Sequence, residues 1–190
     1  MQALRAAMRQ MIRISDEEME HFLADCHAKT FARKSLLSEP GKVANEVFFL
    51  EKGLVRVMIT DYQGVEHTTH FALEHQFIAD YGSFLEKIPA NYALQALEEA
   101  QVIVLPRTAI EWGYASLQDG DRMGRLIAEF YFIYLDKRIQ GLYGKSPKER
   151  YDEIGQIFPN IHARVPQHMI ASYIGISPVH LSRLKKQHPV

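Results

Sequence analysis

The chain contains 190 residues, of which 47% are hydrophobic and 24% charged, and its 22 basic residues nearly balance 23 acidic ones. This composition is typical of a folded globular protein and excludes an intrinsically disordered chain. The single cysteine excludes a disulfide framework and a cysteine-ligated metal site, and no apolar run is long enough to span a membrane, so we expect a cytoplasmic protein.

The first half of the chain predicts a helix followed by β-structure. Ser15 and Glu18 have the spacing of a capping box, which predicts a helix running to about Ala28. Residues 29–105 then contain short β-rich segments separated by turn residues, such as VFFL and LVRVMIT. They predict seven or eight strands that form a sandwich or jelly roll.

Two further helices are predicted after these strands. Thr108 and Glu111 repeat the capping-box spacing, and residues 122–143 carry apolar side chains on more than one face of a long helix. Such a helix can cover the β-structure with one face and pair with a second subunit through another. The alternative is a helix covered entirely by its own chain.

The last part of the chain is basic, whereas the rest is acidic. Residues 145–190 carry seven basic and three acidic side chains. They open with a third capping box, from Ser146 to Glu149, with Pro147 at the first helical position. A basic region of this kind favours a polyanionic partner.

Within this region the segment QHMIASYIGISPVHLSRLKK, residues 167–186, predicts two short helices joined by a tight turn. Gly175 permits the positive φ of the turn, and Ser177 can cap the second helix, in which Pro178 occupies the first position. Leu181 faces back toward the first helix. This is the arrangement of a helix-turn-helix.

The outward face of the second predicted helix carries side chains suited to DNA. Arg183 can form two hydrogen bonds with a guanine edge, and the lysines and serines can contact phosphates. The alternative interpretation is an ordinary solvated helix face. The candidate DNA-binding residues are Ser177, His180, Ser182, Arg183, Lys185 and Lys186.

The helix-turn-helix segment is similar to the Q-x-x-I-A-x-x-L-G-x-S-x-x-x-x-S-R motif of the Crp/Fnr transcription regulators, and GKVANEVFFLEKGLVRVMITDYQGVE resembles the family's sensor strands. The resemblance implies an α+β fold with a cyclic-nucleotide-binding-like β-roll (jelly-roll) sensor domain over residues 1–118. A long dimerisation helix over 119–144 and a small helix-turn-helix DNA-binding domain over 145–190 would follow. It also implies a homodimer that binds double-stranded DNA and regulates transcription.

The stretch that would hold a cyclic nucleotide departs from the family pattern. By resemblance, an arginine followed by a small hydroxyl residue neutralises the cyclic phosphate, yet no lysine or arginine occurs between Lys87 and Arg107. A phosphate buried without a cation loses its hydration uncompensated, so we predict that cyclic AMP binds poorly or not at all. Two alternatives remain: a pocket for an unknown small-molecule effector, and a pocket that is packed shut. The candidate effector-pocket residues are Asp80, Tyr81, Ser83, Asn91 and Tyr92.

The end of the given sequence is a second departure from the family. Only residues 187–190 follow the basic helix, which is too few for the β-hairpin wing that the family places there. We therefore expect a domain that lacks the usual final wing. Its DNA binding would be weaker and less dependent on salt, because phosphate contacts are lost.

Enzymatic interpretations find no support in the sequence. EHTTH, residues 66–70, lies in a predicted strand, where His67 and His70 point to opposite faces and cannot share a metal. No nucleophile elbow, phosphate-binding glycine loop or dinucleotide fingerprint occurs, so we predict no catalytic residue, metal or cofactor. Two hypotheses remain: a dimeric DNA-binding regulator, and a ligand-binding or protein-interaction module whose shortened C-terminal domain does not bind DNA.

Overall fold

A computed structural model describes residues 1–187, and the chain begins with a short helix that the sequence patterns do not predict. Leu4 and Met8 lie one turn apart on this helix and are fully buried. They pack into a core that also includes Phe22 of the second helix and Phe49 of the sheet. The two N-terminal helices are α1 (Gln2–Met11) and α2 (Asp16–Leu23).

The capping box predicted for α2 is confirmed. The Glu18 N–H donates to Ser15 Oγ at 3.2 Å, and the Glu18 carboxylate accepts a hydrogen bond from the Ser15 N–H at 2.8 Å. The predicted end of this helix near Ala28 is wrong. His27–Phe31 pair as a strand with residues 100–104 of another strand. The helix therefore ends earlier, at Leu23.

Residues 27–106 form two antiparallel four-stranded sheets, as expected for a jelly roll. A core of buried aliphatic and aromatic side chains, including Phe48, Leu50 and Val55, lies between the sheets. The strands are β1 (His27–Phe31), β2 (Leu36–Ser38), β3 (Glu46–Lys52), β4 (Val55–Thr60), β5 (Glu66–Ala72), β6 (Phe77–Ile78), β7 (Tyr92–Ala96) and β8 (Ala100–Pro106). Their order is β1-β8-β3-β6 in one sheet and β2-β7-β4-β5 in the other.

A short helix, α3 (Tyr81–Glu86), lies between β6 and β7, and α4 (Arg107–Ser116) follows β8 directly. The capping box predicted from Thr108 is wrong. Strand β8 runs to Pro106, which takes the N-cap position itself and supplies no side-chain cap, so Thr108 falls inside the first turn.

The predicted long helix is present as α5 (Gly120–Gly144), 25 residues in length. Its start packs closely against α4, because a Cβ atom on Gly120 would lie only 2.1 Å from the carbonyl oxygen of Gly113. Even this helix is not apolar enough to cross a membrane, and neither is any other helix within residues 1–187.

Four helices complete the described chain. The third predicted capping box is confirmed, because the Ser146 N–H donates to the Glu149 carboxylate at 2.8 Å and Ser146 Oγ accepts from the Glu149 N–H at 3.3 Å. The expectation that no wing follows concerns residues 188–190, which lie outside the described residues. The helices are α6 (Pro147–Ile157), α7 (Ile161–Arg164), α8 (Gln167–Tyr173) and α9 (Pro178–Gln187).

Candidate DNA-binding surface and effector cavity

Helices α8 and α9 form the helix pair that the sequence predicts. Gly175 has a φ of +73° in the turn between them. The Ser177 hydroxyl accepts a hydrogen bond from the His180 N–H at 3.2 Å and so holds the first turn of α9. On α9, Leu181 and Leu184 are buried and share one hydrophobic cluster with Ala171 of α8.

The opposite face of α9 is exposed and basic. The Lys185 ammonium group donates a hydrogen bond to the side-chain oxygen of Gln167 at 3.3 Å. Because Gln167 is neutral, this contact does not balance the positive charge of Lys185. Within residues 1–187, no acidic side chain pairs with Arg183. The structure thus presents five of the candidate residues on one accessible helix, while Ser177 serves as its cap. The exposed candidates are His180, Ser182, Arg183, Lys185 and Lys186.

Hydrogen bonds from α7 and α8 join the helix-turn-helix to the β-roll. The Thr68 N–H of β5 donates to Ser172 Oγ of α8 at 2.9 Å. Arg138 of α5 bridges the two parts, because its guanidinium donates to the carbonyl oxygens of Thr69 at 3.0 Å and Tyr173 at 2.9 Å. The basic residues of α9 remain exposed in this docked arrangement.

A charged cluster reinforces the docking. The Arg164 guanidinium of α7 donates to the carboxylates of Glu74 and Glu98 at 2.7 to 3.1 Å, and also to the carbonyl oxygen of Gly53. The hydrogen bond from Arg164 holds the pKa of Glu74 below its ordinary value. Sequence reasoning missed Arg164 because its partners lie 66 and 90 positions away, and no local pattern marks them.

Between the β-roll and α5 lies a cavity with a volume of about 340 Å³. Side chains from α2, β4, β6, α3 and α5 meet there, and they are mainly aliphatic and aromatic. Among the described residues, no lysine or arginine lines it. Its representative wall residues are Phe22, Val57, Ile78, Tyr81, Ile127 and Tyr131.

Three of the five predicted effector-pocket residues, Asp80, Tyr81 and Tyr92, reach the wall of the cavity. The structure does not bring the other two there. Ser83 is a buried residue of α3 whose hydroxyl donates to the Ile88 carbonyl oxygen at 2.6 Å, and Asn91 is exposed.

The His67 and His70 side chains of β5 have different surroundings. His67 is exposed and lies 2.7 Å from the Asp61 carboxylate. His70 is buried against the rings of Tyr131 and Tyr134, and burial, followed by the charge of Arg138, lowers its pKa to about 3. It is therefore a neutral packing residue at neutral pH.

One contact connects the cavity wall with the helix-turn-helix. Tyr134 of α5 lines the cavity, and its hydroxyl oxygen lies 2.9 Å from that of Tyr173 in α8. His70 packs edge to face on Tyr134 and also on Phe158 at the end of α6. A movement of Tyr134 in the cavity wall would therefore alter its hydrogen bond with Tyr173 of α8.

A further face of α5 is apolar and exposed. Phe132, Leu135 and Ile139 are 73%, 49% and 55% exposed. Their spacing of three and four residues is that of the contact seam of a two-stranded coiled coil. This seam lies beside the face of α5 that carries Ile127 and Tyr134, and Leu135 at its edge also reaches the cavity wall.

The geometry defines a class of protein, a jelly-roll domain joined by a long helix to a docked helix-turn-helix. Residues 28–116 match the family model of the cyclic nucleotide-binding domain. A segment of 72 residues is 33% identical to the cAMP-activated global transcriptional regulator CRP of Salmonella typhimurium, and covers 38% of this chain and 34% of that one. The chain thus spans about a third of the length of the curated relatives it matches.

Solved structures match over most of the chain. FixK2 from Bradyrhizobium japonicum aligns with a TM-score of 0.72 and 16% identity over 85% of this chain and 83% of that one. A Crp/Fnr-family putative regulator from Eubacterium rectale aligns with a TM-score of 0.73 and 10% identity over 92% and 83%. The predicted resemblance is therefore supported: residues 28–116 match the cyclic nucleotide-binding domain, and the chain shares the fold of the Crp/Fnr regulator structures.

Proposed function

We propose that the protein is a DNA-binding transcription regulator of the Crp/Fnr type that acts as a homodimer and has no catalytic activity. The observation that carries the proposal is the accessible basic face of α9, with Arg183 unpaired in the described chain, on a helix whose other face is anchored by Leu181 and Leu184. A helix of this kind enters the major groove of DNA, where arginine reads guanine.

The exposed seam of α5 supports the dimer. Burying Phe132, Leu135 and Ile139 against the same residues of a second copy removes apolar surface from water on both helices. Two copies would then place two α9 helices on one duplex, about 34 Å apart for successive major grooves. A roughly palindromic operator follows from that symmetry.

We also propose that cyclic AMP is not the effector, although the curated relatives are named as cAMP-activated. The cavity wall carries the carboxylate of Asp80 and no cation within the described residues. A cyclic phosphate entering it would be dehydrated without an opposite charge, at a cost of several kcal/mol. A different effector, or none, is therefore the working hypothesis for this domain.

The direct test is a gel shift with the full chain and the DNA upstream of its own gene, at two salt concentrations. A scrambled fragment of equal length and composition is the control. Preferential retardation of the upstream fragment, weakening as salt rises, supports the regulator. A folded protein that retards neither fragment at low salt contradicts it.

The second candidate function, a ligand-binding or interaction module, is favoured by one observation. Arg164 and Ser172 hold the helix-turn-helix on the β-roll, as expected if this domain covers the β-roll and does not bind DNA. In that case the gel shift fails, and the protein still binds a small molecule in the cavity.

A further inference from the structure

The cavity between the β-roll and α5 is large enough for a small organic molecule. Its volume is about 340 Å³, whereas an apolar cavity of about 150 Å³ already holds benzene. Ligand pockets in proteins begin at about 300 Å³. A compound of two fused rings is therefore of suitable size.

The carboxylate on the cavity wall is already bound by the backbone. Asp80 accepts hydrogen bonds from the Ser83 N–H at 3.1 Å and the Tyr92 N–H at 3.2 Å, and it caps α3. Its negative charge disfavours an anionic ligand, and its lone pairs are largely used. The carboxylate therefore selects against anions without acting as the main anchor.

Two tyrosine hydroxyl groups on the wall are likewise engaged. The Tyr131 hydroxyl donates to the carbonyl oxygen of Phe77, and the Tyr134 hydroxyl is paired with that of Tyr173. A strongly polar ligand would give up its hydration here and find few free partners. An apolar ligand gains by the removal of its surface from water.

A polar position that can receive a ligand group lies at two tyrosines, and the buried Nδ1 atom of His70, another wall residue, also has no hydrogen-bond partner within the described chain. The Tyr81 and Tyr114 hydroxyls, both on the cavity wall, lie 3.5 Å apart, which is a long and weak contact. A phenolic oxygen can accept as well as donate, so this pair keeps acceptor capacity for a further group. A single hydroxyl group on a ligand can therefore be received between them.

We propose that this cavity binds an uncharged, mainly apolar compound of about two fused rings that carries one hydroxyl group. Its rings lie against Val57, Ile127 and Tyr131, and its hydroxyl group lies at the pair formed by Tyr81 and Tyr114. The inference rests on the proposed function only in treating the β-roll as a sensor, and ligand binding can be measured without DNA.

The test is isothermal titration calorimetry of the full chain with α-naphthol and, separately, with cyclic AMP. The cavity variant is Ile127→Trp, which fills the space beside α5. The matched control is Ile133→Trp, the same substitution on the same helix at a side chain that is 52% exposed. We expect α-naphthol to bind the wild type and Ile133→Trp equally, and Ile127→Trp at least about tenfold more weakly.

Three results overturn the proposal: tighter binding of cyclic AMP than of α-naphthol, equal binding of α-naphthol to both tryptophan variants, or no binding of α-naphthol to the wild type. If Ile127→Trp does not fold, Ala79→Leu fills the same cavity from the other side and takes its place. A failed gel shift with successful calorimetry rejects only the proposed DNA binding. The reverse pattern rejects only the ligand class.

Discussion

The Nη2 atom of Arg164 lies 2.7 Å from the Oε1 atom of Glu74, and this contact joins the helix-turn-helix to the β-roll across 90 positions of sequence. Arg164 also reaches Glu98, so one guanidinium serves two carboxylates. All three side chains are only partly exposed, which makes the contacts stronger than those of a solvated ion pair. The docked arrangement depends on this cluster and on the apolar contacts around it.

Replacing Arg164 by alanine should loosen the docking. We expect Arg164→Ala to lower the free energy of unfolding by about 1–2 kcal/mol, after allowance for solvent screening. Hydrogen exchange should become faster in β5 and α8. The control is Lys148→Ala, which removes an exposed pair with Asp152 and should change stability by less than about 0.5 kcal/mol. Equal effects of the two substitutions would show that the cluster does not hold the domain.

His70 should make stability depend on pH below about 6.5, its ordinary pKa. Its pKa in the folded chain is lowered to about 3, so the unfolded chain binds the extra proton first. The stabilisation is complete above about pH 6.5 and falls by about 1.4 kcal/mol for each pH unit between that value and about 3.

The measurement is urea unfolding at pH 7 and at pH 5. We expect His70→Phe to lose most of the difference between the two pH values, and His67→Phe, at the exposed histidine of the same strand, to retain it. Glu74 titrates in a lower range, because its pKa lies below the ordinary value. An unchanged pH dependence in His70→Phe would rule out His70 as its source.

The seam of α5 predicts the oligomeric state. A charge at Ile139 would have to be buried in the dimer, so Ile139→Glu should weaken self-association by at least about tenfold. Sedimentation velocity over a concentration series measures this. Ile133→Glu, off the seam on the same helix, should leave the dimer intact. A wild-type protein that stays monomeric at high concentration would contradict the proposal that this seam forms a dimer.

Arg183 should determine part of the sequence specificity of DNA binding. Arg183→Ala removes a two-point contact with a base, so specific affinity should fall by about 1–3 kcal/mol and preference at one base-pair position should relax. Fluorescence anisotropy with the operator and single-base variants reports both quantities. Arg33→Ala, an exposed arginine on the β-roll, is the matched control. A variant that keeps the full preference would exclude Arg183 as the reader.

Gly120 should tolerate no side chain. A Cβ atom there would overlap the backbone carbonyl oxygen of Gly113, which cannot move without shifting α4, so Gly120→Ala should cost about 2–4 kcal/mol. At Gly144, on the same helix, no heavy atom beyond its chain neighbours and the adjacent helix backbone lies within 4 Å of the place that a Cβ would take, and alanine should be neutral or stabilise by about 0.5 kcal/mol. Thermal unfolding measures the stability of both alanine variants. Similar losses of stability would contradict the close approach of Gly120 to Gly113.

The elements that could be predicted are those fixed by neighbouring residues. The capping boxes at Ser15 and Ser146 and the turn at Gly175 each depend on a few consecutive positions, so the sequence displays them directly. Thr108 shows the limit of this reasoning. Its spacing to Glu111 is correct, but the preceding strand continues to Pro106 and decides where the helix begins.

The candidate site likewise has features that the local sequence sets and features that tertiary packing sets. The sequence alone indicated the basic outward face of α9 and the absence of a cation near the expected phosphate position, because both follow from residue types along short segments. Only the tertiary structure decided that Asp80 and Tyr92 reach one cavity while Ser83 and Asn91 do not, and that Arg164 fastens the helix-turn-helix to the β-roll. These relations join residues that are distant in the chain, and long-range packing, which no local pattern encodes, sets their positions.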